Sequence, residues 1–588
     1  MGLAACAHLP QQAAAPAAAP VAQQGQGPQP EPGKAGAPPA AAAEAAPPAA
    51  AQTEPPKPEL PKQDLTEATL YEYLLAEIAG QRGALGLSAQ AYADLAKRTR
   101  DPRIAKRATE VAIYARMPAA AIDAATVWYD AEPTSLQALQ ALTGLLIGAK
   151  RETEALPYLQ KLLDSDSSGD AFLKLPRLLA NNQDKALTLK LIRQLAQPYP
   201  KVAQAHLALA QAALGAGQSE IALTEVRAAS ALKPDWELPA LLEAQMLQRQ
   251  SIAAARERLA AFLERHPKAP EVRMSYARAL VAEHKYTEAR AEFQTLSKDF
   301  PDNVDVVFAV GVLSLQLQDY ALAEANFKRL LTLPYRDKNT VRLYLGQAAE
   351  EQKNFPEALR WYDEVTDGDQ YLQAQIRYAL VLGKQGELDA ARAHLHQVDV
   401  GSEQARVQLL LTEAQMLRDA KQPRAAFELI GNALKSMPDQ PDLLYDYAML
   451  AEKLERMDLL ESSLKKLIRL RPDHAHAYNA LGYSLADRNE RLPEAQGLIE
   501  KALELSPEDP FIIDSMGWVL YRMGKSSQAL EYLRKAFSAR PDPEIAAHLG
   551  EVLWVAGEHR EAEKIWLDAA KKTPDNDALN STIKRFKP

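Results

Sequence analysis

Histidine pairs are the residues of this chain whose spacing is most suggestive of chemistry. They occur as His394/His396 and His474/His476, and two imidazoles placed so close together could bind one metal ion. Two steps along a helix rotate a side chain by about 200°, so the first pair cannot face a single ion. The second pair follows Pro472, at a boundary between two predicted helices. We interpret both pairs as surface histidines and predict no metal site.

A second candidate for chemistry is the segment 524–526, which has the Gly-Lys-Ser order that ends a phosphate-binding loop. Such a loop also needs a glycine five residues earlier, where this chain has Val519. We therefore interpret the segment as a turn between two helices. The Gly-x-Gly-x-x-Gly, Gly-x-Ser-x-Gly and His-x-x-Glu-His motifs are absent from the sequence. The sequence predicts neither an enzyme nor a cofactor.

Composition and charge narrow the function further. The 588 residues are 47% apolar, enough for several domains or one extended array. The 68 Lys and Arg residues against 77 Asp and Glu give a net charge of −9, which argues against a nucleic-acid partner. No apolar run approaches the roughly 18 residues of a membrane-spanning helix. Adjacent carboxylates such as Glu350 and Glu351 are explained by a solvated helix face.

Residues 1–63 differ in composition from the rest. They contain 14 of the 39 prolines, long alanine tracts and no aromatic residue. A segment of this kind cannot bury enough apolar surface to offset its ordering entropy, and its Pro and Ala content favours an extended spacer. The sequence therefore predicts a disordered tether at this end, although a tail without a role has the same composition.

The only cysteine, Cys6, supports the tether interpretation. It ends the segment Leu3-Ala4-Ala5-Cys6, which resembles the lipobox of bacterial lipoproteins. The resemblance implies that Cys6 becomes a lipid-bearing N-terminus, because acyl chains enter a bilayer while a spacer carries the folded part away from it. Only Met1 and Gly2 precede the box, so we expect the native gene to extend upstream. Ala7 after the cysteine points, by analogy, to the outer membrane.

The remaining chain is periodic. Prolines recur every 33 to 35 residues, with one gap of four such periods, at Pro200, Pro234, Pro267, Pro301, Pro438, Pro472, Pro507, Pro541 and Pro574. Small residues keep the same period, as in Gly517, Ala529 and Ala536 and their counterparts Gly550, Ala562 and Ala569. A constant period of this length is typical of a helical-repeat array.

This pattern resembles the tetratricopeptide repeat (TPR), which has small residues at positions 8, 20 and 27 and proline at position 32. Small residues let two antiparallel helices approach closely, and proline ends the second helix. The resemblance implies an all-α, TPR-type helical-repeat solenoid that winds as a right-handed superhelix. The boundaries we predict are a tether over 1–63, degenerate helical repeats over 64–166, tandem repeats over 167–574, and a C-terminal capping helix or tail over 575–588.

Two sequence features mark the beginning of the first predicted helix. Asp64 and Glu67 suggest a capping box for a helix that carries Leu70, Leu74 and Ile78. The segment 74–83, with the Thr-Arg-Asp-Pro sequence of 99–102 after it, is similar to the opening of proteobacterial outer-membrane TPR lipoproteins. Among them is the lipoprotein adaptor of a periplasmic carboxyl-terminal processing protease.

A partner-binding surface follows from the repeat positions. In a superhelix of this family the first helix of each repeat lines the inner surface, with positions 2, 5, 9 and 12 facing inward. The aromatic residues that the C-terminal repeats place there are Tyr483, Phe511, Trp518, Tyr521 and Trp554. Exposed aromatic clusters suit protein anchors, so we predict partner binding here. Packing of some rings between repeats is the alternative.

Taken with the family resemblance, these features predict a non-enzymatic scaffold, lipid-anchored on the periplasmic face of the bacterial outer membrane. The resemblance implies that it binds a processing protease and delivers protein substrates, such as cell-wall hydrolases. One alternative is an assembly factor of an outer-membrane export machine. Another is an enzyme within 64–166, where the sequence shows no catalytic constellation.

Overall fold

The computed structural model describes residues 65–179 and 184–587, and every regular element within these ranges is an α-helix. The predicted all-α helical-repeat fold is confirmed, while the handedness of its superhelix stays a prediction. Cys6 and the predicted tether lie outside the described residues. The described residues belong to two compact units, which divide between Leu322 and Ala323.

The N-terminal unit contains fifteen complete helices among its described residues. They are α1 (Glu67–Gln81), α2 (Leu85–Thr99), α3 (Pro102–Tyr114), α4 (Pro118–Ala131), α5 (Leu136–Gly148), α6 (Glu152–Asp164), α7 (Ala171–Leu178), α8 (Lys185–Ala196), α9 (Ala203–Gly215), α10 (Ser219–Leu232), α11 (Glu237–Gln248), α12 (Ile252–Arg265), α13 (Pro270–Ala282), α14 (Tyr286–Asp299) and α15 (Val304–Gln316).

Helix α16 (Tyr320–Thr332) contains the division between the units. The helices after it are α17 (Lys338–Glu351), α18 (Phe355–Asp363), α19 (Tyr371–Lys384), α20 (Leu388–Gln397), α21 (Glu403–Asp419), α22 (Pro423–Ser436), α23 (Pro441–Lys453), α24 (Met457–Leu470), α25 (Ala475–Asp487), α26 (Leu492–Leu505), α27 (Pro510–Arg522), α28 (Ser526–Ala539), α29 (Pro543–Val555), α30 (His559–Lys572) and α31 (Asp577–Phe586).

The turns within the helix hairpins share one backbone feature. A residue with positive φ follows the first helix of each of several pairs, as at Lys353, Glu455 and Asn489. At Gly524 the same turn has φ of 81°, and Gly557 repeats it one hairpin later. Glycine adopts this conformation without the steric cost that other residues incur. The Gly-Lys-Ser segment is thus a helix–helix turn, as the sequence predicted.

Close contact within the hairpins depends on the small residues of the repeat. A Cβ atom added to Gly517 on α27 would lie 2.6 Å from Leu533 Cγ on α28. One added to Gly550 would lie 2.0 Å from the indole nitrogen of Trp566. Ala562 on α30 is fully buried. The helix pairs can therefore approach only where these positions stay small, which explains the period in the sequence.

Capping differs from the prediction at the start of the described chain and follows it at the end. The N-cap of α1 is Thr66, whose side chain accepts a hydrogen bond from the Thr69 backbone, and not Asp64, which lies outside the described residues. The apolar residues Leu70 and Leu74 are exposed, as is Ile78. At the other end, α31 packs against α29 and buries Leu579, so it covers the last hairpin.

Candidate partner-binding face

Three consecutive first helices of the C-terminal unit place polar residues on one face. Helix α25 packs against α27, and α27 packs against α29. Each helix contributes residues four apart, which share a helix face. We call this the acidic face and define it as Asn479, Tyr483 and Asp487 on α25, Asp514 and Trp518 on α27, Glu544 and His548 on α29, and Glu452 on the preceding first helix, α23.

His548 is the centre of the acidic face. Its Nδ1 forms a hydrogen bond with Asp514 Oδ2 at 2.8 Å, and its Nε2 forms one with the Tyr483 hydroxyl at 3.2 Å. The imidazole stacks on Trp518, with ring centroids 4.2 Å apart and planes 24° from parallel. Burial works against the charged ring, but Asp514 raises the pKa of His548 above its ordinary value. One residue from α29 thus ties together side chains of α25 and α27.

Carboxylates surround this centre. Burial raises the pKa of Tyr483, and the charges of Asp487, Asp514, Glu544 and Glu452 raise it further. Because all four act on one hydroxyl, they lie within electrostatic range of the same point. Burial, together with Asp487 and Glu544, raises the pKa of Glu452 to about 7. Burial is thus the main reason that the Glu452 carboxyl holds its proton more tightly, and the neighbouring carboxylates add to the effect.

Several polar atoms at the acidic face are buried without a hydrogen-bond partner. They are Asn479 Oδ1, Asp514 Oδ1, the indole nitrogen of Trp518 and Nη2 of Arg488. Asn479 and Asp514 are each 6% exposed, and Trp518 is 4% exposed. An unpaired polar atom in such surroundings costs about 1–3 kcal/mol. Unpaired acceptors and donors concentrated on adjacent helices indicate a site that is completed by another molecule.

The structure packs four of the five aromatic residues that the sequence predicted into one apolar cluster, and three of them lie at or beside the acidic face. Tyr483 and Trp518 are buried at the acidic face, and the Tyr521 ring lies 5.4 Å from the Trp518 ring. Tyr521 also donates a 3.4 Å hydrogen bond to Glu551 Oε1. Tyr483 and Trp518 pack between helices, as the alternative interpretation expected, and do not form part of an exposed strip. Their role in partner binding stays a prediction.

The other two predicted aromatic residues, Trp554 and Phe511, have different immediate neighbours. Trp554 is half-buried and stacks on Trp566, with Phe586 of α31 also beside it. Phe511 lies under the guanidinium of Arg540, 4.9 Å from its ring centroid. Trp554 still shares the apolar cluster of Tyr483, Trp518 and Tyr521, whereas Phe511 lies in another cluster, so the five aromatic residues do not form one continuous surface.

The sequence interpretation missed the polar members of the acidic face. Asp514 and Asn479 occupy position 5 of their repeats, and Glu452 occupies position 12, both of which the repeat pattern directs inward. The signal was available, because the same positional rule that selected aromatic residues also selects these carboxylates and this amide. Their importance follows from burial without partners, which the sequence does not show.

Two further interpretations need correction. Glu350 is not on a solvated face: it is 6% exposed, and it accepts hydrogen bonds from Tyr362, Arg377 and Lys384. His394 is half-buried against the Tyr378 ring, and burial lowers its pKa. In the described ranges no group of three or more metal-binding side chains occurs, and no helix is long and apolar enough to cross a membrane.

Comparison with known proteins gives consistent results. A family model described as the tetratricopeptide repeat matches residues 311–372, 461–510 and 515–578, and a second model with that description matches 246–309. A TPR repeat-containing protein of Pseudomonas aeruginosa is 36% identical over 525 residues, covering 89% of this chain and 88% of the relative.

Two further similarities are weaker and cover a smaller share of this chain. The cellulose synthase operon protein C of Pseudomonas fluorescens is 26% identical over 281 residues, which span 44% of this chain and 22% of that protein. The crystal structure of a thermophilic TPR protein from Thermus thermophilus matches at 23% identity with a TM-score of 0.29, covering 30% of this chain and 97% of the solved one.

Proposed function

Because this chain belongs to the tetratricopeptide-repeat family, we propose that it is a non-catalytic scaffold that holds protein partners at the periplasmic face of the outer membrane. TPR arrays act in protein–protein interaction, and the observation that carries the proposal here is the acidic face. Its buried acceptors and donors have no hydrogen-bond partner among the described residues, which suits a surface completed by another protein.

The partners we propose are a carboxyl-terminal processing protease and its protein substrates. The support is the family resemblance of the opening segment, together with an array far longer than one peptide needs. Two clients bound to the same chain meet at an effective concentration set by their separation, which raises the rate of processing without any catalytic group on the scaffold.

We further propose that Cys6 anchors the chain through a lipid. The support is the Leu-Ala-Ala-Cys sequence before a proline- and alanine-rich segment. Expression from the native gene with Cys6→Ala should move the protein from the membrane fraction to the soluble periplasmic fraction, since the acyl chains supply the bilayer affinity. If the variant stays with the membrane, the lipid anchor is wrong.

The experiment that tests the scaffold is affinity capture from an envelope extract with the full chain as bait, followed by mass spectrometry. We expect a processing protease to be recovered together with its substrates, and we expect the purified protease to cleave a recovered substrate faster when the scaffold is added. Recovery of export-machine components, without a protease, would support the assembly-factor alternative instead.

A further inference from the structure

We infer that the hairpin of α9 and α10 contains a proton-dependent pin, in which His206 joins the two helices and the preceding turn only when its imidazole carries two protons. The inference goes beyond the proposed scaffold function, because it concerns when one hairpin of the N-terminal unit opens rather than what the array binds. It rests on hydrogen-bond geometry and on a second hairpin, in which arginine occupies the same place.

His206 has a hydrogen-bond acceptor at each ring nitrogen. Its Nδ1 lies 2.7 Å from Glu225 Oε2 on α10, and its Nε2 lies 3.1 Å from the carbonyl oxygen of Pro200 in the turn before α9. An ionised carboxylate and a backbone carbonyl only accept hydrogen bonds, and a neutral imidazole has a single N–H. Both contacts are therefore hydrogen bonds only when the imidazole is doubly protonated.

Loss of one proton breaks the pin at one end. Deprotonation of Nε2 turns its lone pair towards the Pro200 carbonyl oxygen, and deprotonation of Nδ1 turns it towards Glu225, so that two acceptors face each other. A neutral imidazole beside a protonated Glu225 holds the same number of protons as an imidazolium beside a carboxylate. The proton requirement is thus the same wherever the shared proton lies. The side chains of His206 and Glu225 are 22% and 21% exposed, so water replaces the lost hydrogen bond only in part.

Arginine occupies the equivalent place two repeats later, in the hairpin of α13 and α14. Arg273 lies six residues after Pro267 and 19 residues before Glu292, the same steps that separate His206 from its two partners. Its guanidinium donates to the Pro267 carbonyl oxygen at 2.7 Å and to the Glu292 carboxylate. A guanidinium stays charged throughout the physiological pH range. The pin of α13 and α14 is therefore permanent, whereas that of α9 and α10 depends on a proton.

Glu225 is the charged group that acts on His206. Helices α7 and α8 also pack against α9, but among residues 65–179 and 184–587 no other charged side chain lies within ion-pair distance of the imidazole. Histidine ordinarily changes charge between pH 5 and pH 8. Because the folded hairpin uses the second proton and the unfolded chain does not, the pin stabilises the hairpin at pH 5, and this contribution is lost as the pH rises towards 8.

The experiment is amide hydrogen exchange of the full chain, read by mass spectrometry at pH 5 and pH 8 and corrected for the intrinsic pH dependence of exchange. In wild type, the protection factors of α9 and α10 should be about fivefold lower at pH 8 than at pH 5, as expected for the loss of one charged hydrogen bond at a partly exposed site. Those of α13 and α14 should change by less than about twofold, because Arg273 keeps its charge.

Two exchanged variants form a matched pair. His206→Arg should abolish the pH difference in α9 and α10, since arginine donates to both acceptors at either pH. Arg273→His should create the same pH difference in α13 and α14. If His206→Arg fails to fold, the wild-type comparison and Arg273→His still decide the question.

Three results would overturn the inference. The first is protection of α9 and α10 in wild type that changes with pH no more than that of α13 and α14. The second is a folded His206→Arg variant that keeps the full pH difference. The third is an Arg273→His variant that has wild-type helical circular dichroism and gains no pH difference in its own hairpin.

Discussion

Buried carboxylates occur in two settings in this protein, and the difference separates structural charges from functional ones. Glu350 on α17 accepts hydrogen bonds from Tyr362 Oη at 2.7 Å, Arg377 Nη1 at 3.0 Å and Lys384 Nζ at 2.8 Å. Asp514 on α27 has one oxygen on His548 and the other with no partner. Both carboxylates are 6% exposed, so burial alone does not distinguish them.

Other buried carboxylates of this chain resemble Glu350, because each is paired with cations. Glu413 is 1% exposed and accepts from Arg392 Nε at 2.8 Å, with a second hydrogen bond to His396 Nε2 at 2.8 Å. Glu243 in the N-terminal unit is held by Arg227 and Arg258. In these cases the cation comes from a neighbouring helix of the array, before or after the carboxylate. At the acidic face, Asp514 pairs with His548, and no ion pair joins Glu452 to another side chain of the described residues.

The pKa shifts of Glu350 and Glu452 reflect this difference in pairing. Burial would raise the pKa of Glu350, but Lys384, Tyr362 and Arg377 together lower it below the ordinary value. Burial raises the pKa of Glu452, and no ion pair reverses the effect. Two buried glutamates of one unit thus shift in opposite directions because of the cations around them.

The largest effect we expect comes from removing the ring on which His548 stacks. Trp518→Ala should lower the free energy of unfolding by about 3–5 kcal/mol, because it empties a buried site between α27 and α29. Each repeat contacts only its neighbours, so the loss should stay local. Hydrogen exchange read by mass spectrometry should accelerate in α25 to α31 and stay unchanged in α2 to α12.

Trp518→Phe is the matched control for that prediction, since it keeps an aromatic ring and removes the unpaired indole N–H. We expect a smaller stability loss than for Trp518→Ala. An alanine variant that is as stable as wild type but loses affinity for a captured partner would show that the ring is an exposed anchor, as the sequence suggested, and would contradict the buried packing.

The second-largest effect we expect tests Glu350, the buried carboxylate that is paired with cations. Glu350→Gln keeps the shape of the side chain but removes the charge that Arg377 and Lys384 share, so we expect a loss of about 2–3 kcal/mol. Glu351→Gln, one residue along and exposed, is the control and should change stability little. Urea unfolding of both variants measures the difference. Equal stability of the two variants would mean that the buried network contributes nothing. The claim that the ion pairs of Glu350 stabilise the fold would then be wrong.

The pH dependence of stability should differ in sign between the two settings. Glu350 has a lowered pKa, so its contribution is present above the ordinary glutamate value of 4.5 and is lost as pH falls. Glu452 has a pKa raised to about 7, so it favours folding at low pH and loses that contribution as pH rises from 4.5 through 7.

Urea midpoints measured from pH 5 to pH 8 for Glu452→Gln and wild type test this difference. The variant should gain on wild type as pH rises, by on the order of 1 kcal/mol at pH 8. Asp487, Asp514, Glu544, Arg488 and His548 face the same region, so the titration should be broad. A constant difference between variant and wild type across this range would contradict the assignment of the raised pKa to Glu452.

The fold was predictable from the sequence because close helix packing requires small residues at fixed intervals, as Gly517 and Gly550 show. Their period revealed the array before any coordinates. The acidic face was predictable only in part, since the repeat positions gave the side chains that point inward but not how they are paired. Glu350 and Asp514 are both carboxylates on first helices, and only the distances to cations from neighbouring hairpins distinguish them.

The smallest effect separates the charge of the acidic face from the stability of the helices that carry it. Asn489 has φ of 58° in the turn between α25 and α26. Glycine adopts this conformation freely and asparagine tolerates it, so Asn489→Gly should stabilise the hairpin by less than about 1 kcal/mol without changing any charge. Hydrogen exchange in α25 and α26 should slow slightly, while exchange in α2 to α12 stays unchanged. Exchange that slows equally across the whole array would contradict this prediction, because the substitution leaves Asn479, Tyr483 and Asp487 in place and each repeat contacts only its neighbours.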